Sequence, residues 1–316
     1  MEKIRIGISS CLLGKKVRYD GQHKLDSFVV GTLSNWFDFV PVCPEMEFGL
    51  GVPRETIRLE GDPEHPRLVK TKSREDLTVA MEKFCRDRVA KLDKEQLDGY
   101  ILKSRSPSCG MERVKVYSEK GMPSNNGVGI YAAALMKKFP LIPVEEEGRL
   151  NDAALREKFI VQVFTMHRWR LMLAENNTRG GLVKFHERHK YLLMAHSPAH
   201  YKSLGQIVAD MKGKRLPVVQ AEYLEQLIAA LRLRATVAKH VNVLQHLAGY
   251  FKRQLEPDEK RELAETIASY RQGHFPLIVP LTILNHYIRK YDEPYLKQQV
   301  YLKPGPTELR LRNQVY

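Results

Sequence analysis

Lys103-Ser104-Arg105-Ser106-Pro107-Ser108-Cys109-Gly110 follows the short apolar run Tyr100-Ile101-Leu102. Pro107 and Gly110 stop any regular element there. One cysteine is left at the exit of a strand, among small hydroxyls and two cations. The pattern occurs twice earlier: Ile4 to Ile8 lead into Ser9-Ser10-Cys11, and Phe39 to Val42 lead into Cys43-Pro44-Glu45. Three strand-like runs, far apart in sequence, each end in a cysteine.

Helical patterns alternate with these runs. Residues 25–37 fit a short helix, and Ser73 is expected to cap one through Leu77, Met81, Cys85, Val89 and Leu92. That spacing puts Cys85 on the apolar stripe, as a buried small hydrophobe and not a ligand. Ile130 to Lys138 reads as a further helix and Leu141 to Val144 as a fourth strand. Residues 55–68 read as irregular or a small hairpin, and 121–129 as a loop. The alternation predicts an α/β N-terminal domain with a small, mainly parallel sheet flanked by helices, Rossmann-like. Ligands in such sheets sit at the carboxyl ends of the strands, where Cys11, Cys43 and Cys109 stand.

Three remote thiolates in one crevice suit a metal centre with an open position. Structural zinc sites normally have four protein ligands, often in C-x-x-C pairs, and no such pair occurs here. Zinc with three thiolates and a water, a four-iron cluster held by three cysteines, and three unrelated cytosolic cysteines all fit the spacing. Glu45, two residues after Cys43, is placed to act as an acid or base in the same crevice, or it is a solvated loop carboxylate. Ser106 and Ser108 flank Pro107 and either donate hydrogen bonds there or serve the turn.

The chain of 316 residues carries a formal net charge of +14. Residues 1–145 hold 24 Lys and Arg against 20 Asp and Glu, and residues 146–316 hold 27 against 17. The second half therefore carries most of the excess, which points to a polyanionic partner such as nucleic acid. No apolar run reaches the roughly 18 residues of a membrane helix. The opening residues lack a secretory apolar region, and four cysteines do not make a disulfide framework, so the expected compartment is the cytoplasm.

Glu145-Glu146-Glu147-Gly148 reads as a charged hinge, giving domains at 1–145 and 146–316. Beyond it the pattern is all-α. Asn151 or Asp152 caps a helix through Leu155, Phe159, Val163, Met166 and Leu173, and helices fit 182–195, 201–212, 218–233, 237–255, 257–272 and 276–291. Residues 303–316 read as a tail or docking strand. His186 and His189 share a helix face, and their pattern suits packing rather than a zinc site. Arg168, Trp169 and Arg170, with Lys184, Arg188, Lys190, Arg232, Arg234, Lys252 and Arg253, mix cations with aromatics in the manner of phosphate contact and base stacking.

Five blocks in residues 1–145 resemble the thiouracil desulfurase family: Ser10-Cys11-Leu12-Leu13-Gly14, Val17-Arg18-Tyr19-Asp20-Gly21, Pro41-Val42-Cys43-Pro44-Glu45, the segment from Phe48 to Glu55, and Ser106-Pro107-Ser108-Cys109-Gly110. The resemblance implies a [4Fe-4S] cluster on Cys11, Cys43 and Cys109, whose fourth iron binds a thiocarbonyl sulfur. It also implies catalytic roles for Glu45 and a serine, mapped to Ser106 with Ser108 second. Residues 185–197, 240–252 and 276–281, with Tyr301-Leu302, resemble the YbgA-like helical domain, and the fusion resembles two-domain tRNA 4-thiouridine desulfidases. That implies a substrate of tRNA containing thiolated uridine, with sulfide released and the helical half serving RNA binding. A desulfurase of free thiouracil and a non-catalytic iron–sulfur RNA-binding regulator are the alternatives.

Overall fold

The computed structural model describes residues 4–309 and 311–313. They form two compact units, Met1–Phe159 and Ile160–Tyr316. No described helix is long and apolar enough to cross a membrane.

The first unit is organised by four strands, β1 (Ile4–Ser9), β2 (Phe37–Val42), β5 (Gly99–Leu102) and β8 (Val144–Glu146), in the order β2-β1-β5-β8 and all parallel. β1 and β5 are almost wholly buried, as central strands covered on both faces must be. Register makes the strand ends level: Ser9 pairs with Val42, Ile8 with Ile101, and Leu102 with Glu146. Three cysteine-bearing loops therefore leave one edge at one height. Between the strands come α1 (Ser27–Gly31), capped by Asp26, and the single turn α2 (Pro44–Glu47). α3 (Thr78–Lys91) and α4 (Ile130–Lys138) pack against each other. The Tyr100 hydroxyl of β5 meets the Tyr131 hydroxyl of α4 at 2.9 Å, with both rings fully buried.

Several local expectations are corrected. Ser73 does not cap α3; the helix starts at Thr78, and the Thr78 N–H donates to Asp76 Oδ1 at 2.9 Å. The first half of the acidic run expected to be a hinge lies in strand β8: Glu145 and Glu146 pair with β5 and are buried, with Glu145 held by Arg149 and Glu146 accepting the Met111 N–H, and the chain turns at Glu147-Gly148. Residues 121–129, expected as a loop, contain β7 (Pro123–Gly127). It belongs to a second sheet with β3 (Ile57–Glu60), β4 (Arg67–Lys70) and β6 (Val114–Tyr117), in the order β4-β3-β6-β7. Pro123-Ser124-Asn125-Asn126-Gly127 has no apolar alternation, and only pairing with β6 makes it a strand.

The second unit is all-α, as expected. α5 (Ala153–Glu175), capped by Asp152, crosses the division between the units. It is followed by α6 (Arg179–His196), α7 (Pro198–Ala209), α8 (Leu216–Arg232), α9 (Val237–Gly249), α10 (Pro257–Arg271), α11 (Ile278–Lys290) and the single turn α12 (Pro294–Lys297). Leu182, Leu192, Tyr223, Leu244, Leu284 and Tyr301 lie in its one apolar core. The expected tail or docking strand lies partly outside the described residues; within it Thr307–Leu309 make a short tight helical turn.

Candidate active site

A cleft of about 340 Å³ opens at the carboxyl edge of the parallel sheet, and Cys11, Cys43 and Cys109 all line it. Each sulfur is positioned by a different device. Cys11 sits in a tight helical turn immediately after β1, closed by left-handed Gly14. Cys43 directly precedes α2, with its N–H donating to Glu47 Oε1 at 3.0 Å and its thiol 3.9 Å from the Val17 carbonyl.

Cys109 is held by the start of α4. The first amides of a helix have no partner within it; here Ile130 N–H donates to Pro107 O at 3.1 Å, and Tyr131 and Ala132 donate to Ser108 O at 2.9 and 3.1 Å. Gly129 N–H donates to Gly110 O at 2.8 Å. A Cβ on Gly129 would lie 2.4 Å from Ser108 O and 2.9 Å from Cys109 N, so only glycine lets helix and cysteine turn meet this closely.

The three thiols feel one another. Burial pushes Cys11 up to about 11, with the neighbouring Cys43 adding to the rise and Lys103 and Arg18 opposing it. Burial likewise raises Cys43. Cys109 is raised well above the usual thiol range by burial and then by Glu45, with smaller contributions from Cys43 and Cys11; a hydrogen bond to Ser9 pulls the other way. Three thiolates here would repel, so their ionised form needs a positive charge between them. Among the described residues no three His, Cys, Asp or Glu side chains close on a single metal ion.

Glu45 faces the same cleft with both oxygens engaged. Arg54 binds Oε2 through Nη2 and, at 3.2 Å, through Nε. Ser108 Oγ donates to Oε1 at 3.0 Å. The pair is largely buried, with 6 % of the Arg54 side chain and 16 % of the Glu45 side chain exposed. Arg54 also donates to Val17 O and Gly51 O, tying three loops together.

The two serines differ. Ser108 is fully buried on Glu45. Ser106 lines the cleft, and its Oγ accepts the amides of Ser108 and Cys109 at 3.2 and 3.1 Å. Across the cleft Lys103 binds Ser104 and Glu147, and Ser9 Oγ accepts the Lys103 amide at 2.9 Å. Arg54, Ser9, Lys103 and Glu147 were not read from the sequence as site residues. Only the Cys43-Pro44-Glu45 to Arg54 segment carried a hint, since a buried carboxylate needs a cation within reach. Cys85 lies apart, fully buried on α3 and raised to about 12 by desolvation.

In the helical unit, Arg168, Lys184 and Arg188 line one cleft of about 600 Å³, together with Lys297 and Lys303. Arg168, named above for phosphate contact, is largely enclosed: burial lowers it to about 10, Nη2 donates to Pro304 O at 2.7 Å, and Nη1 is buried with no hydrogen-bond partner among the described residues. Arg170, Lys190, Arg232, Arg234, Lys252 and Arg253 do not line that cleft; Lys190 lies over the Tyr191 ring, and Arg232, Arg234, Lys252 and Arg253 are exposed. His186 and His189 are packed, through Tyr223 OH at 3.0 Å and Phe185 O at 2.7 Å.

Comparison with known proteins also finds two separate matches along the chain. Residues 6–147 match the 2-thiouracil desulfurase family, and residues 190–306 match DUF1722, a family described as being of unknown function. The uncharacterized protein YbgA of Escherichia coli (strain K12) is 33 % identical over 165 residues, 52 % of this chain and 98 % of its own. The uncharacterized protein YbbK of Bacillus subtilis (strain 168) is 31 % identical over 150 residues, 46 % of this chain and 97 % of its own. A solved [4Fe-4S]-dependent thiouracil desulfidase, TudS, is 28 % identical with a TM-score of 0.38, covering 49 % of this chain and 97 % of that one.

Proposed function

Because the chain belongs through residues 6–147 to the 2-thiouracil desulfurase family, with a DUF1722 segment at 190–306, we propose that it is an iron–sulfur desulfidase acting on thiolated uridine in tRNA. The observation that carries the reading is the meeting of Cys11, Cys43 and Cys109 in one cleft beside a clamped Glu45. The donor set fits a cluster: three soft sulfur ligands, each disfavoured as a thiolate until a metal group supplies positive charge. When bound there by the three cysteines, a [4Fe-4S] cluster supplies one iron without a protein ligand to polarise a thiocarbonyl sulfur.

The net reaction is thiocarbonyl plus water to carbonyl plus hydrogen sulfide, with no change in electron count. Glu45 takes a proton from the attacking water and returns it to the departing sulfur. Arg54 and Ser108 hold its carboxylate at a fixed angle to the cleft. Ser106 has its oxygen anchored by two backbone amides, which leaves its own proton to donate to the substrate. Lys103, pinned by Ser104 and Glu147, keeps positive charge on the Cys11 side.

The excess of cations in residues 146–316 favours tRNA over the free base. The test is anaerobic reconstitution with iron and sulfide, followed by sulfide release from thiolated tRNA and from free thiouracil in parallel. Preference for tRNA supports the reading. Release from the free base alone makes the protein a thiouracil desulfurase, and a loaded protein that releases sulfide from neither overturns the desulfidase reading.

A further inference from the structure

The cleft does not end at the cysteines. Its wall of Ile57, Arg105 and Pro107 is also the wall of a second cavity, of about 550 Å³, in the same unit. That groove is lined by Arg58, Arg105, Arg113, Lys115, Tyr117 and Asn125, and among the described residues no carboxylate lines it. Two of its cations have acidic neighbours outside the lining: Arg58 binds Glu60 at 2.6 Å, and Arg113 Nε lies 4.0 Å from Glu112. Glu60 is shared with Arg74, and Glu112 with Arg149, so neither acid neutralises its groove arginine fully. Arg105, Arg113, Lys115 and Asn125 are exposed.

Backbone conformation makes the placement more telling. Arg105 and Arg113 have φ of +60° and +53°. Left-handed backbone favours glycine or asparagine, and arginine there is strained. Such outliers are held by the surrounding structure and cluster at functional sites; Arg74, Gln96, Asp292 and Arg312 share the conformation without lining this groove. These two bracket Cys109 by four residues on either side, so their guanidinium groups start from the turn that carries the third sulfur. Tyr117 adds a ring, with the Arg58 guanidinium 4.8 Å above it. Cations spaced along a groove with an aromatic wall and an amide side chain are the chemistry that grips a single-stranded sugar–phosphate backbone.

We propose that this groove holds the polynucleotide strand flanking the nucleotide whose base enters the cysteine cleft. The partner is a single-stranded stretch of RNA, bound through phosphates. This proposal rests on the desulfidase reading for the identity of the cleft, and it adds a binding track within the catalytic unit itself. It gives the first unit its own share, beside the cation-rich residues 146–316, in distinguishing a thiolated base in RNA from the same base free in solution.

The test compares the full-length chain with its Arg113→Glu/Lys115→Glu and Arg113→Gln/Lys115→Gln variants. Both positions are exposed, and equal iron content and far-UV dichroism establish that the variants fold. We expect the ratio of rates on thiolated tRNA to free thiouracil to fall at least tenfold in the charge-reversal variant. The tRNA-binding slope of log K against log salt, measured on cluster-free protein, becomes shallower by about 1.4 in the neutral variant, for two lost phosphate contacts on single strands. A wild-type ratio and slope in both variants overturn the groove. A parent chain that desulfurates only the free base also overturns it, while leaving the desulfidase intact. A loaded parent chain inert on both substrates refutes the parent reading instead, and the salt slope then decides the groove alone.

Discussion

Ser108 Oγ donates to Glu45 Oε1 at 3.0 Å across 63 residues of chain. The other oxygen of that carboxylate belongs to Arg54. Ser108→Ala therefore frees one oxygen of the proposed base without touching the cleft wall. Desulfuration is expected to fall about 10- to 100-fold, as when a group that orients an active-site residue is lost, with the pH–rate profile displaced. Ser106→Ala instead leaves the amides of Ser108 and Cys109 unpaired, and stability drops by about 1 kcal/mol. Wild-type rates in Ser108→Ala beside a dead Ser106→Ala would remove Glu45 clamping from the mechanism.

Removing Arg54 leaves a mostly buried carboxylate facing Ser108 alone. Arg54→Met is expected to cost about 3–5 kcal/mol, read as a lower denaturant midpoint. Arg54→Lys restores charge but not the planar fork that reaches Glu45, Val17 O and Gly51 O together, so it recovers only part of the loss. Full recovery by lysine would show that charge alone matters.

Cys11→Ala, Cys43→Ala and Cys109→Ala should each lose bound iron and activity after reconstitution. Cys85→Ala should keep both, because Cys85 is fully buried on α3 and does not line the cleft. Iron and acid-labile sulfide per chain are the readouts. Iron retention in all three cleft variants would refute the ligand assignment.

Gly129→Ala tests the seat of the cysteine turn. The new Cβ would stand 2.4 Å from Ser108 O, a backbone atom that cannot swing aside. The strain is of order 1–3 kcal/mol, and relief moves Cys109. Reduced cluster loading with unchanged helical content is the expected result, measured by iron analysis and circular dichroism. Normal loading would mean that α4 yields more easily than its buried packing implies.

The helical unit should be acid-sensitive. Burial lowers His186 to about 4 and His189 to about 3, both below the unfolded value of about 6.5. Their neutral forms contribute stability that is complete above pH 6.5 and is lost as pH falls toward 4 and then 3. Between pH 6.5 and 5 the unfolded chain protonates and the native rings do not, a loss of order 2 kcal/mol per ring. Urea titrations followed by fluorescence of Trp169, which packs edge-on against Phe185, test this. Equal midpoints at pH 7 and 5 would contradict it.

The parallel sheet, the three cysteines at its edge and the succession of helices were legible because each is written in local pattern. Mostly apolar stretches of four to six residues make β1, β2 and β5, and the 3.6-residue stripe makes α3 and bares the structural role of Cys85. The second sheet was not legible, since β7 is polar throughout and becomes a strand only by pairing with β6. Nor was Glu145-Glu146, whose charges argue for solvent until Arg149 and the Met111 amide are brought beside them. Residue types and their order were enough to nominate Cys11, Cys43, Cys109 and Glu45. Tertiary structure alone chose their partners: Arg54 and Ser108 on Glu45, Ser9 beside Cys109, and α4 beneath the cysteine turn. The reason is physical: periodicity records which face of an element is buried, whereas hydrogen bonds between remote loops depend on angles and distances that exist only once the sheet has assembled.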